Sequence, residues 1–80
     1  MKQRKIMLPT IEAAKEFVAA ATKCDFDVDV YYNRVVIDAK SILGVLSLDL
    51  TRVLTVEFNG DSEEFEEFLS TKAPGNCTAA

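Results

Sequence analysis

The spacing of apolar residues between positions 25 and 38 limits the folds open to this chain more than any other feature. From residue 26 to residue 32 every second side chain is apolar, which is the period of a strand with one buried face. The apolar positions are Phe26, Val28, Val30 and Tyr32. Asn33-Arg34 predicts a tight turn into a second strand over Val35 to Asp38. The sequence therefore predicts an antiparallel hairpin near its middle.

Helical spacing precedes the hairpin. From Thr10 to about Lys23 apolar residues recur every three or four positions, and the hydroxyl of Thr10 is suited to capping a helix that starts after Pro9. The positions predicted to face inward are Ile11, Ala14, Phe17, Val18 and Ala21. This segment is predicted to be an amphipathic helix.

Two further helices are predicted after the hairpin. Ser41 can cap a short helix that runs to about Ser47, although Gly44 weakens it by about 1 kcal/mol relative to alanine. A last helix is predicted to begin at Asp61 or Ser62, where Asp61 and Glu64 resemble a capping box. Its inward stripe is predicted to be Phe65, Phe68 and Leu69.

Two more strands complete the pattern. Residues 2–8 form a predicted edge strand with Ile6 and Leu8 on one face, and residues 53–59 alternate again, with Val56 and Phe58 on one face. The order strand, helix, strand, strand, helix, strand, helix predicts an α+β domain in which helices cover one face of an open antiparallel sheet. We expect one domain over residues 1–72 and a flexible tail over 73–80.

The charge balance and the cysteines argue against several classes of function. The 13 acidic and 9 basic residues give a net charge of -4, which repels nucleic-acid phosphates and anionic lipids. The start of the chain does not fit a signal peptide, and no apolar run is long enough to span a bilayer, so a cytoplasmic location is expected. Cys24 and Cys77 lack the spacing of a metal or dithiol site, and two free thiols are expected in preference to a disulfide.

Two segments carry a resemblance to a known family. KSILGVLSL, from Lys40 to Leu48, resembles the regulatory-serine segment of HPr phosphocarriers of Gram-positive bacteria, and KCDFDVDVYYN, from Lys23 to Asn33, resembles the stretch before it. With the element order, the similarity covers roughly residues 8 to 70. It implies an HPr-like open-faced β-sandwich, in which three helices cover a four-stranded antiparallel sheet.

The resemblance also implies a degenerate phosphoryl-transfer site. The family's phosphoryl-accepting histidine falls on Thr10, its arginine on Glu12 and its proline on Ala13, and the chain contains no histidine at all. Reversible transfer needs an imidazole nitrogen that forms a high-energy phosphoramidate, whereas a threonine hydroxyl needs a base and forms a stable ester. We expect no enzymatic activity, no catalytic residue, no cofactor and no metal.

The resemblance places a regulatory serine at Ser41, which a dedicated kinase phosphorylates in the family. The residues themselves favour Ser41 as an ordinary helix cap, worth about 1 kcal/mol. The resemblance further implies that Ile42, Leu43 and Leu46 dock onto protein partners, while the alternative is that some of them line the core.

The leading hypothesis is a non-catalytic regulatory or protein-binding module of the bacterial sugar phosphotransferase system. Its possible partners are enzyme I, HPr kinase or the catabolite regulator, and neither nucleic acid nor membrane insertion is expected. Two alternatives stay open: a serine phosphorylation substrate of an HPr-kinase-like enzyme, acting through Ser41, and a repurposed small-molecule binding domain.

Overall fold

A computed structural model describes residues 2–74. It contains seven elements in the predicted order. They are β1 (Lys2–Ile6), α1 (Ile11–Thr22), β2 (Val28–Tyr32), β3 (Val35–Asp38), α2 (Ile42–Leu46), β4 (Leu54–Phe58) and α3 (Glu63–Thr71). The greater part of the tail predicted over residues 73–80, including Cys77, lies outside the described residues.

The four strands form a single antiparallel sheet in the order β1-β4-β2-β3. Val56 of β4 stands at its centre, opposite Arg4 of β1 on one side and Val30 of β2 on the other. One face of the sheet is apolar and covered by the helices, and its other face carries mostly polar side chains. The predicted α+β open-faced sandwich with three helices is therefore confirmed.

The core between sheet and helices is organised around aromatic rings. Phe58 of β4 lies edge-on to Phe65 of α3, with ring centroids 5.4 Å apart, and Phe26 stacks on Phe58 at 6.0 Å. Phe17 of α1 reaches Phe65 at 6.4 Å. These contacts join both long helices to the sheet, and edge-to-face pairs of this kind contribute about 0.5–1.5 kcal/mol beyond the area they bury.

The inward face of α1 differs from the predicted one at its first turn. Ala14, Phe17 and Ala21 are fully buried as predicted, but Ile11 is 59% exposed and Ala13 is buried instead. Ile11 is the first residue of the helix, so it lies at the end of the packed layer although it has the right spacing. The prediction for Ile11 was wrong because periodicity gives the angular position of a residue but not its depth along the helix.

The structure decides between Asp61 and Ser62, the two residues that the sequence leaves open as the N-cap of α3. Ser62 is the cap, and its Oγ accepts a hydrogen bond from the amide of Phe65 at 3.1 Å. Asp61 does not cap the helix, because its carboxylate accepts a hydrogen bond from the Lys2 ammonium. Glu66 pairs with Arg4 at 2.7 Å, so ion pairs connect β1 to α3 along the rim of the core.

The tight turn predicted at Asn33-Arg34 joins β2 to β3. Asn33 has a φ of 56° and is the only non-glycine residue with positive φ among residues 2–74. Asparagine tolerates this left-handed conformation better than most residues. The two-residue turns that join hairpin strands require a positive φ at their first central position, which is where Asn33 stands.

Gly44 is required by the close packing of α2 on β3. A Cβ added at Gly44 would lie 2.6 Å from Cγ2 of Ile37, and the branched side chain of Ile37 has little rotamer freedom with which to move away. We therefore expect Gly44→Ala to lower the free energy of unfolding in urea by about 1–3 kcal/mol.

A double-mutant cycle isolates this contact. In an Ile37→Ala background, which removes the methyl group, the cost of Gly44→Ala should largely disappear. Stabilisation by Gly44→Ala alone, as in an ordinary helix interior, would contradict the steric explanation.

Candidate functional site

The head of α1 is the first candidate site. Thr10 has an extended backbone, with φ -134° and ψ 160°, and its exposed side chain caps the helix by accepting a hydrogen bond from the amide of Ala13 at 3.0 Å. The carbonyl of Thr10 accepts from the amide of Ala14 at 3.1 Å. The hydroxyl oxygen is thus used to satisfy a backbone amide of the first turn.

The neighbours of Thr10 do not favour an incoming phosphate. Glu12 is exposed in the first turn of the helix, where its carboxylate opposes the binding of an anion by the helix dipole and the free amides. Ala13 is 5% exposed, so its methyl group belongs to the core. The cap that the sequence predicts for Thr10 is confirmed, and this geometry serves helix formation.

The head of α2 is the second candidate site. Ser41 is exposed, its Oγ accepts a hydrogen bond from the amide of Gly44 at 3.2 Å, and its own amide donates to the carbonyl of Asp38 at 3.0 Å. The capping bond uses only the oxygen as acceptor, so the exposed hydroxyl keeps its hydrogen for donation. The structure therefore confirms Ser41 as an N-cap that is also accessible.

A hydrogen bond of Lys40 connects the turn before α2 to the segment that follows α1. The ammonium of Lys40 donates to the carbonyl of Cys24 at 3.1 Å, and its amide donates to the carboxylate of Asp38 at 2.9 Å. Cys24 is a buried free thiol; burial raises the pKa of Cys24, and the charge of Lys40 partly offsets this effect. Cys77 lies outside the described residues, so the expectation of two free thiols stays a prediction.

The three apolar residues assigned to docking have different environments. Leu43 is 81% exposed and Ile42 is half-buried, whereas Leu46 is half-buried and packs against the core. Val45 is fully buried and anchors α2 to the domain. The exposed apolar surface of α2 is therefore centred on Leu43, with Ile42 beside it.

A row of acidic side chains crosses the open face of the sheet, and sequence reasoning did not identify it. Asp29 of β2 stands directly between Glu57 of β4 and Asp38 of β3. Burial raises the pKa of Asp29, and the charges of Asp38, Asp27 and Glu57 raise it further. This acidic row can be recognised only from the strand register, which the spacing of residues along the chain does not give.

A cavity lies elsewhere, between α1 and α3. Its volume is about 530 Å³, and its walls include Ala20, Cys24, Phe65 and Phe68. That volume is within the usual range for small-molecule pockets. None of the residues predicted for phosphorylation or docking lines this cavity.

No group of three or more cysteine, aspartate or glutamate side chains within residues 2–74 is arranged to hold a metal ion. In the same part of the chain every helix is too short or too polar to cross a membrane.

The strand order β1-β4-β2-β3, with three helices covering one face of the sheet, defines the class of small open-faced α+β sandwiches. The family model described as "PTS HPr component phosphorylation site" matches residues 11–71. The chain therefore belongs to the HPr family of the phosphotransferase system.

Comparison with solved structures gives the same result. The crystal structure of HPr-C-His from Thermoanaerobacter tengcongensis is similar to this chain, with a TM-score of 0.71 and 25% sequence identity. The alignment covers 89% of this chain and 93% of that one. The comparison with curated proteins finds no match.

Proposed function

We propose that this protein is a non-catalytic member of the HPr family, a cytoplasmic module of residues 1–72 that regulates the sugar phosphotransferase system by binding other proteins. The observation that carries the proposal is Thr10, which caps α1 where the resemblance places the acceptor histidine, in a chain that contains no histidine. Family membership provides the context, and the changed acceptor removes the family's chemistry.

The chemistry of the acceptor supports this proposal. An imidazole is nucleophilic near neutral pH and yields a phosphoramidate that can pass its phosphoryl group onward. The Thr10 hydroxyl is hydrogen-bonded to the amide of Ala13, and the neighbouring charge is the carboxylate of Glu12. We therefore infer that phosphoryl transfer at this position is lost.

The exposed side of α2 supports a role in binding. Leu43 offers an apolar anchor that no interaction within the domain requires, since Val45 already fixes the helix to the core. With Ile42 beside it, Leu43 forms a contiguous apolar patch, and exposed patches of this kind can mark protein-binding surfaces. The partners we propose are those of the phosphotransferase system: enzyme I, HPr kinase or the catabolite regulator.

Ser41 supports a second candidate function, that of a kinase substrate. Its hydroxyl is exposed at the turn between β3 and α2, one residue after Lys40 and beside Leu43. Phosphorylation there would place charge at the edge of the same surface, so it would alter docking directly.

One experiment separates these possibilities. The purified protein is incubated with HPr kinase and ATP, and separately with enzyme I and phosphoenolpyruvate, and its intact mass is measured; binding to the same proteins is measured by calorimetry. We expect no phosphate from phosphoenolpyruvate, and binding to at least one partner that Leu43→Lys weakens at least about tenfold.

The controls make the result specific. Val53→Lys replaces another exposed apolar residue, outside α2, and should leave binding unchanged. A phosphate added by the kinase and absent in Ser41→Ala would establish the second candidate function. Phosphoryl transfer from enzyme I, or no binding to any of the three partners, would overturn the proposal.

A further inference from the structure

The two edges of the sheet are protected to different degrees. β1, at one edge, carries Lys2, Arg4 and Lys5 among its five residues, and charged side chains of this kind discourage pairing with another strand. β3, at the other edge, exposes Val35 by 51% and Val36 by 62%. An apolar edge without lysine, proline or a bulge is open to another strand.

The hydrogen-bond pattern of the hairpin shows which groups β3 presents outward. The amide of Ala39 donates to the carbonyl of Val28, so Ala39 and every second residue before it face β2. The residues between them face away from the sheet, and Val36 is the central one. The amide and carbonyl of Val36 therefore point to the open edge.

We propose that β3 pairs with β3 of a second copy of this chain, antiparallel and centred on Val36. A two-fold axis at Val36 lets its amide and carbonyl bond reciprocally to Val36 of the second copy. The two sheets then form one continuous sheet of eight strands, and the Val36 side chains meet on its open face.

Charge complementarity supports the pairing of β3 with a second copy of this chain. With Val36 opposite itself, Arg34 comes opposite Asp38 of the second copy, and the symmetry repeats this contact. Within residues 2–74, neither Arg34 nor Asp38 takes part in an ion pair, and both are exposed. Arg34 would also offset the carboxylates of Asp38 and Asp29, which lie side by side on that face.

The paired segment of β3 is short, and this limits the stability of the dimer. The carbonyl of Asp38 already accepts a hydrogen bond from the amide of Ser41, so regular pairing cannot continue beyond that residue. We expect a reversible dimer with a dissociation constant of about 0.1–1 mM, as befits a small interface.

Sedimentation equilibrium up to about 1 mM protein tests the pairing. Val36→Lys would place two like charges against each other at the axis and should raise the dissociation constant at least about tenfold. Val53→Lys adds the same charge away from the edge and should leave the constant unchanged. Circular dichroism verifies that each variant is folded.

Charge reversal tests the register. Arg34→Glu and Asp38→Lys should each remain monomeric alone, because each places like charges opposite one another. An equimolar mixture of the two should associate, because both contacts are then between opposite charges. A wild-type protein that is monomeric at about 1 mM, or dimerisation unaffected by Val36→Lys, would overturn the proposal.

Discussion

Replacing Phe58 by alanine should lower the free energy of unfolding by about 3–5 kcal/mol. Phe58 is fully buried in β4, next to the centre of the sheet, and its ring contacts both Phe26 and Phe65. The cavity left behind cannot close readily, because the backbone of β4 is held between β1 and β2. A domain of 80 residues has a total stability of only about 4–12 kcal/mol, so this variant should lose a large fraction of it.

Urea titration followed by circular dichroism measures this loss. Leu43→Ala is the matched control, since Leu43 is 81% exposed and its truncation should change stability by less than about 0.5 kcal/mol. Equal effects of the two substitutions would contradict the assignment of Phe58 to the core.

Much of this fold could be predicted from the sequence because its elements have clear periods. The alternation of Val28 and Val30 with aspartates, and the Asn33 turn, define the hairpin locally, and both are confirmed. The helix caps Thr10 and Ser41 are confirmed for the same reason: a capping hydroxyl acts on an amide three residues away.

What could not be predicted depends on contacts between residues far apart in the chain. Asp61 and Lys2 are 59 positions apart, so the ion pair that removes Asp61 from the cap of α3 leaves no local signal. The row formed by Asp29, Asp38 and Glu57 likewise depends on the pairing of three strands. Local patterns thus locate elements, while register and ion pairs require the assembled sheet.

The candidate site was predictable only in part for a related reason. The spacing of α2 gives its apolar positions, but it does not say which of them the sheet covers. The structure buries Val45, packs Leu46 against the core and leaves Leu43 exposed. The exposed apolar surface of α2 is consequently smaller than the three residues that the resemblance suggested for docking.

Restoring the family's chemistry at the head of α1 should require two substitutions. If Thr10 occupies the acceptor position, then Thr10→His should supply the nucleophile, but Glu12 would still hold a carboxylate close to the incoming phosphoryl group. We therefore expect Thr10→His alone to accept phosphate poorly. The double variant Thr10→His/Glu12→Arg should accept it from enzyme I and phosphoenolpyruvate at least about tenfold faster, because arginine stabilises the anion that glutamate repels.

Intact-mass spectrometry measures the gain of one phosphate, and its loss at low pH identifies a phosphoramidate rather than an ester. Adding Ser41→Ala to the double variant should leave this acid-labile phosphate unchanged. This control distinguishes a phosphate at the head of α1 from one on Ser41 at the head of α2. The new histidine also removes the Thr10 cap, at a cost of about 1 kcal/mol, so the fold is verified by circular dichroism. A double variant that folds but gains no phosphate would mean that Thr10 does not occupy the acceptor position. Acceptance by the unmodified protein would instead show that a group other than histidine takes the phosphate, because the chain contains no histidine.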